Sequence, residues 1–262
     1  MSDSRRTALV IASAQGIGLA TCKRMARDGY ALCMVDMNEE KLAAAAEELR
    51  QDGAEVVARA GNALEQSDIA SAVKMAMDAY GRIDAMACVA GGAGGIPMHQ
   101  IDDISQDHWE KVVNLNLSST YIACHHVVPI MRKQRHGRIV CLSSTVAKGR
   151  FGPVGTMGAR LPYATAKAGI LGFVKQLAKD VGRDGITVNA VLPWLTFGGP
   201  GTKIVEAFNS LDDEYQTRTM SLSPQGRAVT ADGVAAVINF LLSQEAEFVS
   251  GVALPVDGAY LN

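Results

Sequence analysis

The chain has 262 residues, 48% of them hydrophobic and 20% charged, with a formal net charge of −2. That composition suits a folded α/β protein of one large domain or two small ones, and it excludes a disordered chain. The charge balance offers no basic footprint for nucleic acid, and no apolar run approaches the roughly 20 residues of a membrane span.

Thr7–Ala12 reads as a buried strand closed by a glycine pair, and Ile17, Ala20, Met25 and Ala26 carry a helix to about Asp28, which Gly29 ends. Ala31–Asp36 is a second strand and Glu39–Gln51 a second helix, with Asn38 as its N-cap. Glu55–Arg59 supplies a third strand, Ser67–Tyr80 a helix that stops at Gly81, and Ile83–Val89 a fourth strand. The following Gly91–Gly95 run reads as a flexible loop beside the ligand site and not as a second phosphate site. A long helical stretch covers about Gln106–Gln134, with Pro129 kinking it or starting its final turns. Arg138–Leu142 is a strand leading through Ser143-Ser144 and a glycine-rich connection to a long helix opened by Tyr163-Ala-Thr-Ala-Lys167. Thr187–Leu192 is the next strand, and the irregular region from Pro193 to about Pro224 holds a short helix near Lys203–Asn209. Thr230–Leu242 is the last helix and Val252–Val256 the last strand. Strands alternate with helices and are continuous apolar runs, which predicts the α/β class. The expected architecture is a doubly wound (Rossmann-like) parallel sheet flanked by helices, in a single domain over residues 1–262.

Five cysteines, Cys22, Cys33, Cys88, Cys124 and Cys141, are scattered through apolar runs with no C-x-x-C pair. Buried thiols in a reducing compartment are expected, not disulfides or zinc ligands. His99, His108, His125, His126 and His136 share no metal spacing, so no catalytic metal is expected. Arg5-Arg6 before Thr7–Ala14 loosely resembles a short secretory leader. The apolar run is brief, however, and leads straight into Gln15-Gly-Ile-Gly18, so a cytoplasmic protein is expected.

In such a sheet, ligands bind beyond the carboxyl ends of the strands near the switch point. Gly16 and Gly18 let the first strand-to-helix turn approach a pyrophosphate at a helix N-terminus, although the third glycine of G-x-G-x-x-G is absent. Asp36 ends the second strand 18 residues past Gly18, near the spacing at which an acid accepts from an adenosine ribose; the alternative is a turn or cap aspartate. A carboxylate there repels a 2′-phosphate, no cation follows at 37 or 38, and Gln15 leaves the loop without one, so NAD is expected over NADP. On a helix, Tyr163 and Lys167 stack one turn apart, and an ammonium beside a phenol pulls its pKa down from about 10. That makes Tyr163 a candidate acid/base, the alternative being a surface tyrosine packed on a lysine stem.

Together, Gly16-Ile-Gly18, Asp36, Asn62-Ala63, Trp109 leading to Asn116, Ser144, Tyr163/Lys167, Val188-Asn-Ala190 and Gly251 through Val256-Asp-Gly258 resemble the short-chain dehydrogenase/reductase family along essentially the whole chain. The resemblance implies a catalytic tetrad. Tyr163 would move the proton at the substrate oxygen, and Ser144 would hydrogen-bond that oxygen. Lys167 would lower the pKa of Tyr163 and hold the nicotinamide ribose, and Asn116 would hold a water linking Lys167 to solvent. Asn114 and Ser143 are the rival asparagine and serine, and Asn116 could equally be a helix-bending structural residue. The resemblance further implies cofactor contacts from Gln15, Gly16, Ile17, Gly18, Asp36, Asn62, Ala63, Val89, Tyr163, Lys167 and Thr196, and a homotetramer packed through the C-terminal strand and last helices.

The chain departs from the family pattern at Ile11-Ala12, where Thr-Gly is usual, and at Cys88-Val89, where Asn-Asn is usual. Ile11 near Cys88 would be an apolar pair in place of a polar one. Trp194 stands where the family usually has Gly, which implies a narrower nicotinamide end. Thr145–Pro162 is longer than usual and lines the substrate site in relatives; its Arg160 could receive an anion, or be a solvated arginine. Residues 194–223, with Trp194, Leu195, Phe197, Phe208 and Tyr215, suit a substrate lid or a subunit contact. The expected activity is NAD(H)-dependent interconversion of a secondary alcohol and a ketone. The alternatives are an NADP(H)-dependent 3-oxoacyl thioester (acyl-carrier-protein) reductase and a non-catalytic nucleotide-binding protein. A small alcohol or ketone is the expected partner, with neither nucleic acid nor membrane.

Overall fold

A computed structural model describes residues 5–93, 100–149, 160–199 and 202–261. In chain order the elements are β1 (Thr7–Ile11), α1 (Gly16–Arg27), β2 (Ala31–Asp36), α2 (Glu39–Gln51), β3 (Val56–Ala60), α3 (Gln66–Tyr80), β4 (Ala85–Cys88), α4 (Gln106–Val113) and α5 (Ser119–Gln134). There follow β5 (Gly137–Leu142), α6 (Arg160–Val181), β6 (Ile186–Pro193), β7 (Thr196–Phe197), α7 (Lys203–Asn209), α8 (Asp213–Met220), β8 (Val229–Thr230), α9 (Ala231–Leu242) and β9 (Ala253–Val256). Seven strands form one parallel sheet in the order β3-β2-β1-β4-β5-β6-β9.

The strands are apolar throughout because helices cover both faces of the sheet. Alternate residues of β1 go to opposite sides: Leu9 and Ile11 join a core with Ile69 of α3, Val127 of α5 and Ile170 of α6. Ala8 and Val10 join the other core, with Met25 of α1, Leu42 of α2 and Ile238 of α9. Each such Leu, Ile or Met contributes about 1.5–3 kcal/mol relative to exposure. Local chemistry ends the helices as the composition predicts: the Asn38 side chain accepts from the Lys41 amide, and Gly81 takes a left-handed C-cap at φ 72°. All five cysteines are free and buried. Among the described residues, no helix is long and apolar enough to cross a membrane.

Two expectations are corrected here. The irregularity in the 106–134 helical stretch is a wide turn at Asn114–Ser118, not Pro129, which lies inside α5. Its cause is local: the hydroxyls of Ser119 and Thr120 take the Asn116 carbonyl at 3.3 and 3.1 Å, in competition with the helical ladder. The 193–224 region also holds more order than one short helix, since α8 follows α7 and β7 pairs with β8 in a separate two-stranded sheet.

At the amino ends of the strands, buried Asp84 accepts from the Thr7 amide at 2.8 Å and from Arg82 Nε and Nη2 at 2.8 and 2.6 Å, which ties β1 to the entry of β4. Replacing Asp84 with Ala strands the Thr7 amide and should lower stability by about 2 kcal/mol in urea denaturation.

Candidate active site

The strand order reverses between β1 and β4, so the crevice lies beyond their carboxyl ends. The turn out of β1 is anchored to β2, because the Val35 carbonyl accepts from Ala12 N at 2.8 Å, Ser13 N at 3.1 Å and Ser13 Oγ at 3.1 Å. Ala12 holds a left-handed φ of 63° there, which costs a side-chain-bearing residue about 1–2 kcal/mol. No side chain caps α1 at Gln15 and no acid sits in its first turn, so the N–H groups of that turn are free to receive an anion. The two glycines are needed for different reasons. A Cβ at Gly18 would lie 2.0 Å from the Ala12 carbonyl oxygen, whereas one at Gly16 would meet nothing within 4 Å but would suffer its φ of +57°. Ile17 is partly buried against the core on the α1 side.

A closed ring of hydrogen bonds rims this turn. Asp36 accepts from Ala14 N through Oδ2 and from Asn38 N through Oδ1, each at 3.0 Å. Asn38 Oδ1 accepts from Lys41 N at 2.9 Å, and Lys41 Nζ donates to Gln15 Oε1 at 3.0 Å. Asp36 therefore has its turn role as well as its place at the rim. Lys41 corrects the expectation of a loop without a cation; it is the first basic residue after Asp36, brought round by the helical turn that Asn38 caps. Gly61 N donates to the Asp36 carbonyl at 2.9 Å, which sets Asn62 and Ala63 beside the rim, and Asn62 Oδ1 holds its own turn through Leu64 N at 3.0 Å. Val89 N donates to the Ile11 carbonyl at 3.1 Å. Ile11 and Cys88 are register partners in β1 and β4, so the expected apolar pair is present.

On the other side of the crevice, Lys167 is 2% exposed and its Nζ donates to the Leu142 carbonyl at 2.7 Å. Burial pulls its pKa down to about 8. Its Nζ lies 5.7 Å from the Tyr163 ring centroid. The expected lowering of the Tyr163 pKa by Lys167 is not what the geometry gives: burial raises the phenol, and a hydrogen bond with Ser144 opposes the rise. The ammonium is turned to a backbone carbonyl, so desolvation wins. Ser143 Oγ donates to the Lys167 carbonyl at 2.7 Å and is a buried tie between β5 and α6, which leaves Ser144 as the serine beside Tyr163. Among the described residues, Ser144 Oγ is otherwise 3.4 Å from Val146 N and 3.5 Å from the Pro193 carbonyl, both long contacts.

Asn116 is fully buried whereas Asn114 is exposed. The Asn116 side chain donates to Gly92 O at 2.9 Å and Val112 O at 2.8 Å and accepts from Gly92 N at 3.0 Å. It is thus a clamp on the loop after β4. Gly91, the first residue of the glycine run expected to be a loop, runs between the two groups: a Cβ there would lie 2.4 Å from Asn116 Oδ1 and 3.0 Å from Lys167 Nζ. Thr196 Oγ1 donates to the Trp194 carbonyl at 2.9 Å, and the chain then brings Gly198 so close to the turn out of β1 that its Cβ would lie 3.2 Å from Gly16 Cα. The Trp194 indole is stacked on Tyr260, and Trp194, Leu195 and Phe208 form a small core from which Tyr215 is absent. Gly94, Gly95, His99, residues 150–159 and the Arg160 side chain lie outside the described residues. A surface groove of about 500 Å³ between Arg59, Ser71, Lys74, Met75, Asp78 and Ala79 contains none of these groups. Among the described residues, no three His, Cys, Asp or Glu side chains are grouped to hold a metal ion.

A family model described as enoyl-(acyl carrier protein) reductase matches residues 11–260. The chain is 31% identical over 258 residues to (2S)-[(R)-hydroxy(phenyl)methyl]succinyl-CoA dehydrogenase subunit BbsD of Thauera aromatica, covering 98% of this chain and 97% of that one. It is 32% identical to the 3-oxoacyl-[acyl-carrier-protein] reductase FabG of Thermotoga maritima, over 97% and 96% of the two chains. The crystal structure of levodione reductase is similar with a TM-score of 0.86 at 28% identity, over 97% and 96% of the chains.

Two predictions follow from the geometry of the site. Gly16→Ala should cost about 1 kcal/mol and Gly18→Ala about 3 kcal/mol or more in urea denaturation, since only the second drives a methyl group into a carbonyl. Between pH 8 and 10.5 the unfolded chain binds a proton at Lys167 that the folded chain does not, so this residue makes stability rise with pH across that window. Burial raises the thiols of Cys22, Cys33, Cys88 and Cys141, which works in the opposite sense, so the urea midpoint should fall more, or rise less, from pH 8 to pH 10 in Lys167→Met than in the parent protein.

Proposed function

This chain belongs to the short-chain dehydrogenase/reductase family, and we propose that it is an NAD(H)-dependent oxidoreductase that interconverts a secondary alcohol and a ketone. The observation that carries this reading is the convergence of Tyr163, Ser144 and Lys167 beside the crevice of β1 and β4. The uncapped start of α1 fits a pyrophosphate, held by the backbone of Gln15, Gly16, Ile17 and Gly18. The Asp36 carboxylate fits the hydroxyls of an adenosine ribose, with Asn62, Ala63 and Val89 on the adenine side and Thr196 on the nicotinamide side.

The chemistry that a nicotinamide cofactor would supply here, when bound, is hydride exchange with the substrate carbon. Tyr163 supplies the matching proton to the carbonyl oxygen in reduction and removes it from the alcohol in oxidation, while Ser144 hydrogen-bonds the same oxygen. Because burial keeps the phenol protonated, the site is ready as an acid, and oxidation gains from rising pH. Lys167 would hold the nicotinamide ribose and, with its pKa pulled down to about 8 by burial, would exchange the proton. Asn116 serves through position, by clamping Gly92 and so setting Gly91 against Lys167. The segments 145–162 and 194–223 would border the substrate. A homotetramer joined through β9 and the last helices is supported by Phe248, 100% exposed, and by Val252 and Leu254 at the sheet edge.

A second reading, an NADP(H)-dependent 3-oxoacyl thioester reductase, is favoured by the Lys41 ammonium on Gln15 and by the likeness to FabG. Under either reading, Tyr163→Phe should bind NADH or NADPH as the parent does and lose turnover by about 10²–10⁴-fold. A panel of secondary alcohols with NAD⁺, followed by cofactor absorbance, checks this; a Phe variant that still turns over contradicts the mechanism.

A further inference from the structure

The segment between β6 and β8 is fastened at both ends to the C-terminal tail. At its start, Trp194 N donates to the Val256 carbonyl at 3.2 Å, and the Trp194 indole stacks on the Tyr260 ring with centroids 5.4 Å apart and planes 26° from parallel. At its end, buried Ser223 donates through Oγ to the carbonyls of Asp257 and Gly258, 3.2 Å from each. The tail comes so close there that a Cβ at Gly258 would lie 2.5 Å from Ser223 Oγ. The tail is itself a built turn. Asp257, 7% exposed, accepts from Ala259 N at 3.1 Å and Leu261 N at 3.0 Å, and Ala259 is held at a left-handed φ of 68°. An alanine keeps that conformation only where its surroundings over-determine it.

What the tail holds leads directly to the cofactor half of the site. The Trp194 carbonyl accepts the Thr196 hydroxyl, β7 pairs with β8, and Gly198 then lies against Gly16 of the phosphate turn. Within a run of five residues, Trp194 to Gly198, the chain passes from the tail's aromatic contact to the backbone where a pyrophosphate fits.

We infer that Tyr260 is a positioning residue: its ring, stacked on Trp194, sets the Trp194–Gly198 strand against the phosphate turn and thereby raises affinity for the dinucleotide. This rests on the cofactor reading proposed above. The stack uses the faces of the two rings, so the Tyr260 hydroxyl is dispensable and the aromatic ring is not.

The test uses a Trp109→Phe background, in which Trp194 is the single tryptophan, and compares Tyr260→Ala with Tyr260→Phe. Loss of the ring stack should weaken NADH binding roughly tenfold in Tyr260→Ala, a change of about 1.4 kcal/mol. Its Trp194 emission should shift to the red, and the KM for NAD⁺ should rise with kcat held within about twofold. Tyr260→Phe should match the background in all three. A packing role alone would lower the melting temperature without this split between KM and kcat. If Tyr260→Ala does not fold, Tyr260→Leu, which keeps bulk without a ring, is read in the same way. If the background binds NADH and Tyr260→Ala binds it equally well, or if Tyr260→Phe is as weak as Tyr260→Ala, this inference alone falls. If the background binds no NADH, the cofactor reading falls and takes the inference with it.

Discussion

A buried ammonium handed to a strand-end carbonyl sets the layout of the proposed catalytic half of this molecule. Lys167 is almost wholly out of water, and its Nζ is received by the Leu142 carbonyl. Burying a charge without a carboxylate is costly, which is why its pKa drops and why the carbonyl must lie close. That need fixes α6 to the carboxyl end of β5, and Ser143 adds a second tie one residue on. With Lys167 held, Tyr163 stands one helical turn earlier, beside Ser144. The same ammonium limits the loop after β4, where only a glycine at 91 clears both Lys167 and Asn116.

The half proposed to hold the cofactor is built differently, from backbone instead of charge. Gly18 packs on the Ala12 carbonyl, Val35 receives three donors from the turn, and the first-turn amides of α1 are left free. The charged groups sit only at the rim, where Asp36 and Lys41 belong to one ring of hydrogen bonds. Their opposed charges make the balance between the two dinucleotides a local contest, because a 2′-phosphate is repelled by one and attracted by the other. Asp36 is partly buried and fixed by two amides, whereas Lys41 is exposed and tied by its Nζ to Gln15 alone among the described residues. The less mobile, less screened charge should dominate.

Much of this was legible in the chain itself, for physical reasons that differ by element. The parallel strands read correctly because burial on both faces leaves no polar alternation, and the helix Lys203–Asn209 read correctly to the residue. The wide turn at Asn114–Ser118 did not, since it depends on the Ser119 and Thr120 hydroxyls competing for a backbone carbonyl. β7 and β8 are two residues each, too short to carry a pattern. In the site, the spacing of Tyr163 and Lys167 gave their neighbourhood but not the direction of the phenol pKa, which burial decides and sequence does not display. Lys41 was missed because its reach to Gln15 exists only once α2 has docked on the phosphate turn. Trp194, expected to narrow the nicotinamide end, is committed to Tyr260 some 66 residues later in the chain.

The most direct measurement is a parallel fluorescence titration of the purified protein with NADH and with NADPH at the same ionic strength. The account predicts saturable binding of both, with NADH the tighter because Asp36 outweighs Lys41. Tighter NADPH would contradict the role given to Asp36, and failure of either to bind would contradict a dinucleotide site at this crevice altogether.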